Sequence, residues 1–111
     1  MARDSKISFV RTSGNVFADL KLANAEEKHT KVKLAVTINR ILREKGLRQE
    51  AAAKLLDLNQ PKISALANYQ LEGFSVERLL RLLNALDRDV EIVICRKRQA
   101  KGPGTILVTA A

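Results

Sequence analysis

The sequence predicts a mainly α-helical domain of four to five helices followed by one C-terminal β-strand. Three observations carry this. Apolar residues recur at helical spacing from Val32 to Leu42 and again from Val76 to Leu86, the pattern of helices that bury one face. Between them lie two short helix-forming stretches separated only by Asp57-Leu58-Asn59. At Asp89-Val90-Glu91-Ile92-Val93-Ile94-Cys95 the period changes to a β-branched, partly alternating run, the mark of a strand. Of the 111 residues 46% are hydrophobic but only 4% aromatic, with no Trp. The core is therefore built from Leu, Ile, Val and Ala, and wholesale disorder is excluded.

Along the chain, residues 4–22 show no sustained period, and Ser13-Gly14-Asn15 reads as a turn. We read residues 1–23 as an N-terminal arm. A long helix then opens at Asn24, which with Glu27 three residues on fits a capping box. Val32, Ala35, Val36, Asn39 and Leu42 set its inner stripe, with Leu34, Ile38 and Ile41 widening it. Lys45 and Gly46 close it, a cation in the last turn and a glycine just past it. Residues 49–56 form a short helix with small residues on one side. Asn59 caps the next, and Pro61 in its first turn gives up only an N–H that had no partner. Ile63, Leu66 and Ala67 face inward. Ser75 caps a further helix whose apolar face is Val76, Leu79, Leu80, Leu83 and Leu86, with Glu77 suiting the dipole of its first turn. The domain thus spans 24–88 and the strand 89–95. A lone strand has nothing to pair with unless the arm supplies a partner. The economical solution is pairing across a two-fold axis with the same strand of a second copy. Residues 96–111 read as a basic tail, Arg96-Lys97-Arg98-Gln99-Ala100-Lys101 broken by Gly102-Pro103-Gly104, whose final residues either fray or add to a sheet edge.

Charge points to the partner. Twenty Lys and Arg against twelve Asp and Glu give a formal +8, which favours a polyanion, nucleic acid before an anionic membrane surface. The excess is uneven. Residues 1–46 carry ten basic and five acidic side chains, 47–74 three of each, and 75–111 seven and four. A neutral middle is flanked by cationic segments. One Cys excludes an internal disulfide and suits a reduced cytosol. One His and one Cys exclude a zinc site built from those ligands. The opening residues lack the apolar run of a signal peptide, and no stretch is long enough to span a bilayer, so a cytoplasmic protein without membrane partner is expected. His29 reads as an exposed helix residue and Cys95 as a small buried hydrophobe. There is no Gly-rich phosphate loop, metal cluster or nucleophile elbow. An enzyme is the least expected class, and no cofactor is called for.

Two short helices joined by a tight turn, the second opening in polar residues, form a helix-turn-helix. The first needs a small residue where the helices cross, a place that Ala53 fills, and Ile63 fills the inner face of the second. The first turn of the second helix is then free to enter a major groove, where base edges show distinct donor–acceptor patterns.

Residues 47–66, Leu47-Arg48-Gln49-Glu50-Ala51-Ala52-Ala53-Lys54-Leu55-Leu56-Asp57-Leu58-Asn59-Gln60-Pro61-Lys62-Ile63-Ser64-Ala65-Leu66, resemble the core motif of the phage-repressor (Xre-like) helix-turn-helix family. Ser13-Gly14-Asn15-Val16-Phe17-Ala18-Asp19-Leu20, Gly73-Phe74-Ser75-Val76-Glu77-Arg78-Leu79 and Asp89-Val90-Glu91-Ile92 extend it. Together they resemble the subgroup containing antitoxins of bacterial toxin–antitoxin pairs, over roughly residues 13–95. The resemblance implies a repressor-like bundle, a homodimer on double-stranded operator DNA, and often a toxin partner. It implies that Gln49 meets a phosphate and that Gln60 reads a base, its amide being able to bond adenine bidentately. Pro61 and Ala65 fall at base-reading positions, where they offer only apolar contact to a thymine methyl. Lys62 then reaches a phosphate or guanine, Ser64 a phosphate, and Asn68 a phosphate after the helix. Arg48 departs from the usual Thr or Ser cap, and Asp57 from the usual turn glycine, though Asp tolerates the left-handed conformation better than most residues.

Three functions follow from these features. The first is a sequence-specific repressor that inserts helix 60–68 in the major groove. The second is a protein-interaction module that neutralises a toxin, with DNA binding secondary or absent, the arm folding on its partner. The third is an RNA-binding or nucleoid-type protein acting by charge alone; the scarcity of aromatics disfavours base stacking on single strands.

Overall fold

The structure, a computed structural model, describes residues 15–97 and 102–110, with side chains from residue 24 onward. The described residues form four helices, α1 (Asn15–Glu44), α2 (Gln49–Leu56), α3 (Gln60–Ala67) and α4 (Val76–Ala85). The longest, α1, runs for 30 residues, about 45 Å at the usual rise, and touches both α3 and α4. One core joins all four. Ile38, Ile41, Ile63, Leu66, Phe74, Leu79 and Leu86 are fully buried in it.

The first correction concerns where α1 begins. It starts at Asn15, so Asn24 lies inside the helix and caps nothing, and residues 15–23 belong to the helix rather than to an arm. The segment 15–44 contains neither Gly nor Pro. A helix already nucleated by its packed half extends through such residues at little cost, with or without an apolar period. Residues 1–14, including Ser13-Gly14, lie outside the described residues. The inner stripe is also turned from its expected place. Leu34, Ala35, Ile38, Ile41 and Leu42 are buried, whereas Val32 and Val36 are 41% and 46% exposed.

The helix ends share one geometry. Leu47 N–H donates to the Leu42 carbonyl at 3.1 Å and Gly46 N–H to that of Arg43 at 2.9 Å, with Gly46 left-handed at φ 68°. The same pair of bonds closes α2 at Asp57 and Leu58, α3 at Tyr69 and Gln70, and α4 at Asp87 and Arg88. This is the Schellman motif. In three of the four the left-handed residue is not glycine: Asp57 (φ 56°), Tyr69 (φ 59°) and Asp87 (φ 64°). Asp57 therefore does what the turn requires without the usual glycine. At the other ends, the Asn59 side chain accepts from Lys62 N–H at 2.9 Å and the Ser75 hydroxyl from Arg78 N–H at 3.0 Å. Arg48 begins α2 with no side-chain cap. In α2 the fully buried small residue is Ala52, while Ala53, expected at the crossing, is half-buried against the core.

The second correction concerns the C-terminus. No strand occurs among the described residues, and residues 89–95 run beyond α4 without a ladder. A strand exists only by hydrogen bonding to a neighbour, and the described residues provide none. The other extended segment, 103–110, lies back on α1 instead. Ile106 N–H donates to a carboxylate oxygen of Glu26 at 3.2 Å, and Val108 packs on the core. Cys95, expected to be buried, is exposed. Residues 98–101 and 111 of the predicted tail lie outside the described residues. No helix among those described is long and apolar enough to cross a membrane.

One polar tie crosses the core. The Asn39 amide donates to the carbonyl of Leu66 in the last turn of α3 at 3.1 Å, a second donor to an oxygen that also accepts from Tyr69 N–H at 3.2 Å. Asn39→Ala should lower the stability of the domain by about 1 kcal/mol, read as a shift in the urea midpoint with an unchanged slope. A midpoint equal to that of the wild type would show that solvent replaces the tie without loss.

Candidate nucleic-acid interface

The three residues between α2 and α3 set the two helices at an angle and bring their N-terminal ends to one surface. Ile63 and Leu66 turn one face of α3 into the core. That orientation leaves Gln60 and Pro61 exposed and Ser64 half-exposed on the opposite side. The leading edge of α3 is thus presented to solvent, and an α-helix of this kind fits the major groove of B-DNA.

Gln49 and Gln60, eleven residues apart, meet on this surface. The Gln60 amide donates to the Gln49 side-chain oxygen at 3.0 Å. The bond ties the first residue of α2 to the first residue of α3 and restricts both long side chains. It uses one donor of Gln60 and leaves the carbonyl oxygen and the second N–H, which is the donor and acceptor pair needed to meet N6 and N7 of adenine. The Gln49 NH₂ keeps its donors for an anionic oxygen.

The other predicted site residues are placed less uniformly. Lys62 does not extend into solvent. Its ammonium donates to the Gly73 carbonyl at 2.7 Å and lies 4.8 Å from the centroid of the Phe74 ring. Ala65 is half-buried and packs on the core, so little of its methyl is left for a ligand. The exposed Asn68 donates its amide to the Ser64 carbonyl at 2.9 Å and lies 3.5 Å from the Ser64 hydroxyl, finishing the last turn of α3.

Three features escaped the sequence reading. Asn39 sits within an otherwise apolar stripe, and that polar interruption was the available signal for its tie to α3. The approach of Lys62 to Gly73 had no local signal. The third is a shallow cleft of about 240 Å³ where the end of α1 meets the start of α2 and the end of α3. Arg43, Gln49 and Tyr69 line its polar side, adding a cation and a phenol beside the glutamine pair. Arg40, Arg43 and Arg48 are all exposed near this end of the molecule, whereas Arg81 and Lys31 face Glu77 at 3.7 Å and Glu27 at 3.8 Å. The Arg81–Glu77 pair, with both side chains exposed, adds little to stability.

Comparisons with known proteins agree with this geometry. The model of a family described as "Helix-turn-helix domain" matches residues 16–95. A solved structure of an XRE family transcriptional regulator superposes with a TM-score of 0.75 at 56% sequence identity, covering 79% of this chain and 99% of that one. No curated protein matches the chain. The family is one of regulators and not of enzymes. With the paired glutamines, the three-residue turn and the outward edge of α3 all falling inside the matched region, the chain belongs to the helix-turn-helix domain family, in its XRE transcriptional-regulator branch.

Proposed function

We propose that the protein is a sequence-specific double-stranded-DNA-binding repressor of its own operon, acting as a homodimer with α3 in the major groove. The observation that carries this reading is the Gln49–Gln60 pair at the exposed N-terminal edge of α3. It holds an adenine-matching amide where a base edge would lie. Pro61 beside it offers an apolar surface to a thymine methyl, with a smaller share from half-buried Ala65. Gln49, Ser64 and Asn68 border the edge as phosphate contacts, and the exposed arginines at the end of α1 supply attraction independent of sequence. Gln60→Ala should weaken binding to the promoter of its own operon by ~1–3 kcal/mol in gel shifts. Unchanged affinity would remove Gln60 from the reading set.

The dimer contact is assigned to residues 89–95. Ile92, Val93 and Ile94 are 75%, 71% and 93% exposed. Three successive apolar side chains with neither face covered and the backbone outside any ladder form an edge suited to pairing with its own copy. Two copies so joined would set their α3 helices about 34–36 Å apart for successive major grooves. Ile94→Asp should convert a dimer to a monomer in sedimentation equilibrium while leaving the helical circular dichroism intact. A wild type that is monomeric at micromolar concentration would refute the assignment.

A second reading, that the chain is also an antitoxin that binds and neutralises a small toxin, rests on the resemblance over residues 13–95 and on a groove of about 1170 Å³. The groove lies between α1, α4 and the C-terminal segments, lined by Leu34, Ile41, Val76, Leu80 and Leu83. Co-expression with the neighbouring open reading frame should relieve that product's toxicity. A neighbour that is harmless alone, or equally toxic in the presence of this chain, counts against it.

A further inference from the structure

Lys62 stands in the first turn of α3, two positions after Gln60, where a basic side chain is most simply read as a contact to DNA. Its surroundings say otherwise. The ammonium donates to the Gly73 carbonyl at 2.7 Å and lies over the face of the Phe74 ring, 4.8 Å from its centre. Phe74 is 2% exposed and is fixed by its own N–H to the Leu71 carbonyl at 3.0 Å, so the partner surface is rigid. A Cβ at Gly73 would lie 2.6 Å from the Lys62 nitrogen, the movable end of that side chain, so a side chain there would shift the ammonium. A charge-assisted hydrogen bond and a cation–π contact together outweigh either alone. Both join the reading end of α3 to the loop that leads into α4.

We propose that Lys62 is a positioning residue: it braces α3 against the Gly73-Phe74 loop and so sets the angle at which Gln60 and Pro61 meet the groove, rather than contacting DNA itself. The inference rests on the DNA-binding reading above. It identifies a determinant of specificity that lies on the chain's own loop. Lys62 thereby supplies no cation to the base-reading edge, whose discrimination depends on the Gln60 amide and apolar contact.

Two substitutions separate the alternatives, because one removes the charge and the other leaves it. Lys62→Met keeps an apolar stem over Phe74 but loses the ammonium. Gly73→Ala keeps the lysine but displaces its nitrogen from the carbonyl. Binding of each variant to the promoter fragment, and to a scrambled duplex of equal length, is measured across a salt series at a temperature where circular dichroism shows both variants folded. A brace predicts that both variants lose at least about five-fold in promoter affinity, the equivalent of roughly 1 kcal/mol. The salt slope and the scrambled-duplex affinity should stay at wild-type values. The double variant should lose no more than either single one, since each breaks the same contact.

A phosphate contact predicts a different result: Lys62→Met lowers affinity for both duplexes alike, reduces the salt slope by about one, and Gly73→Ala has no such effect. That outcome overturns the proposal. So does a lowered melting temperature with promoter affinity unchanged, which would make the contact structural only. If the wild type itself does not distinguish promoter from scrambled duplex, it is the DNA-reading assignment that fails. The brace is then judged from thermal unfolding of the same four proteins, where additive losses would show that Lys62 and Gly73 are not coupled.

Discussion

Helix α3 is eight residues long, well below the length at which a helix persists alone in water. Its shape and direction are therefore imposed from outside. Ile63 and Leu66 fix its rotation by burial, the Asn59 side chain fixes its start, and Asn39, reaching from α1, holds a carbonyl of its last turn. The rest of the molecule follows from the need to supply these supports. The buried stripe of α1 gives α3 a wall, α2 gives it a second, and the loop before α4 returns Phe74 to the core beneath Lys62. Polar residues on the outer edge are left free because the inner face alone accounts for the folding of the segment.

What could be read in the sequence was what is decided locally. The α2–turn–α3 unit and the start of α4 were legible because Asn59, Pro61 and the Ser75 cap each act within one helical turn of themselves. The apolar face of α4 was legible because polar residues interrupt its leucines, and Leu82 is buried there as well. The first nine residues of α1 were not, since residues 15–23 are helical by propensity and continuation rather than by an apolar period. The rotation of the α1 stripe was misjudged because Val32, Leu34, Ala35, Val36, Ile38, Ile41 and Leu42 offer more apolar positions than one face can bury. The tertiary core selects among them. Where Lys62 goes depends on a loop eleven residues away, and the Gln49–Gln60 bond on the angle between two helices. Neither is encoded in spacing. The run at 89–95 has the composition of a strand, but composition cannot supply the neighbour that would make it one.

Charge and shape are divided between different parts of the chain. The segment 47–74 is electrically neutral, and of its three cations Lys62 is engaged with the chain itself. The net positive charge resides in the segments on either side. Under the proposed function, long-range attraction to a polyanion comes from those flanking surfaces, while the edge of α3 acts at short range through hydrogen bonding and fit. A repressor of that kind would approach any duplex readily and distinguish among them only on contact.

The four helix ends carry an implication for how far the domain lies from its own thermodynamic optimum. All four use the same closing bonds, yet only the one at Gly46 uses a residue to which the left-handed backbone comes free. Asp57, Tyr69 and Asp87 hold it under steric tension. At Asp57 and Asp87 that tension sits in exposed residues outside the buried core. The domain thus retains slack at its joints, and a more robust descendant is reachable by relaxing the backbone at Asp57 and Asp87, with the packed side chains and the Tyr69 phenol of the cleft left untouched.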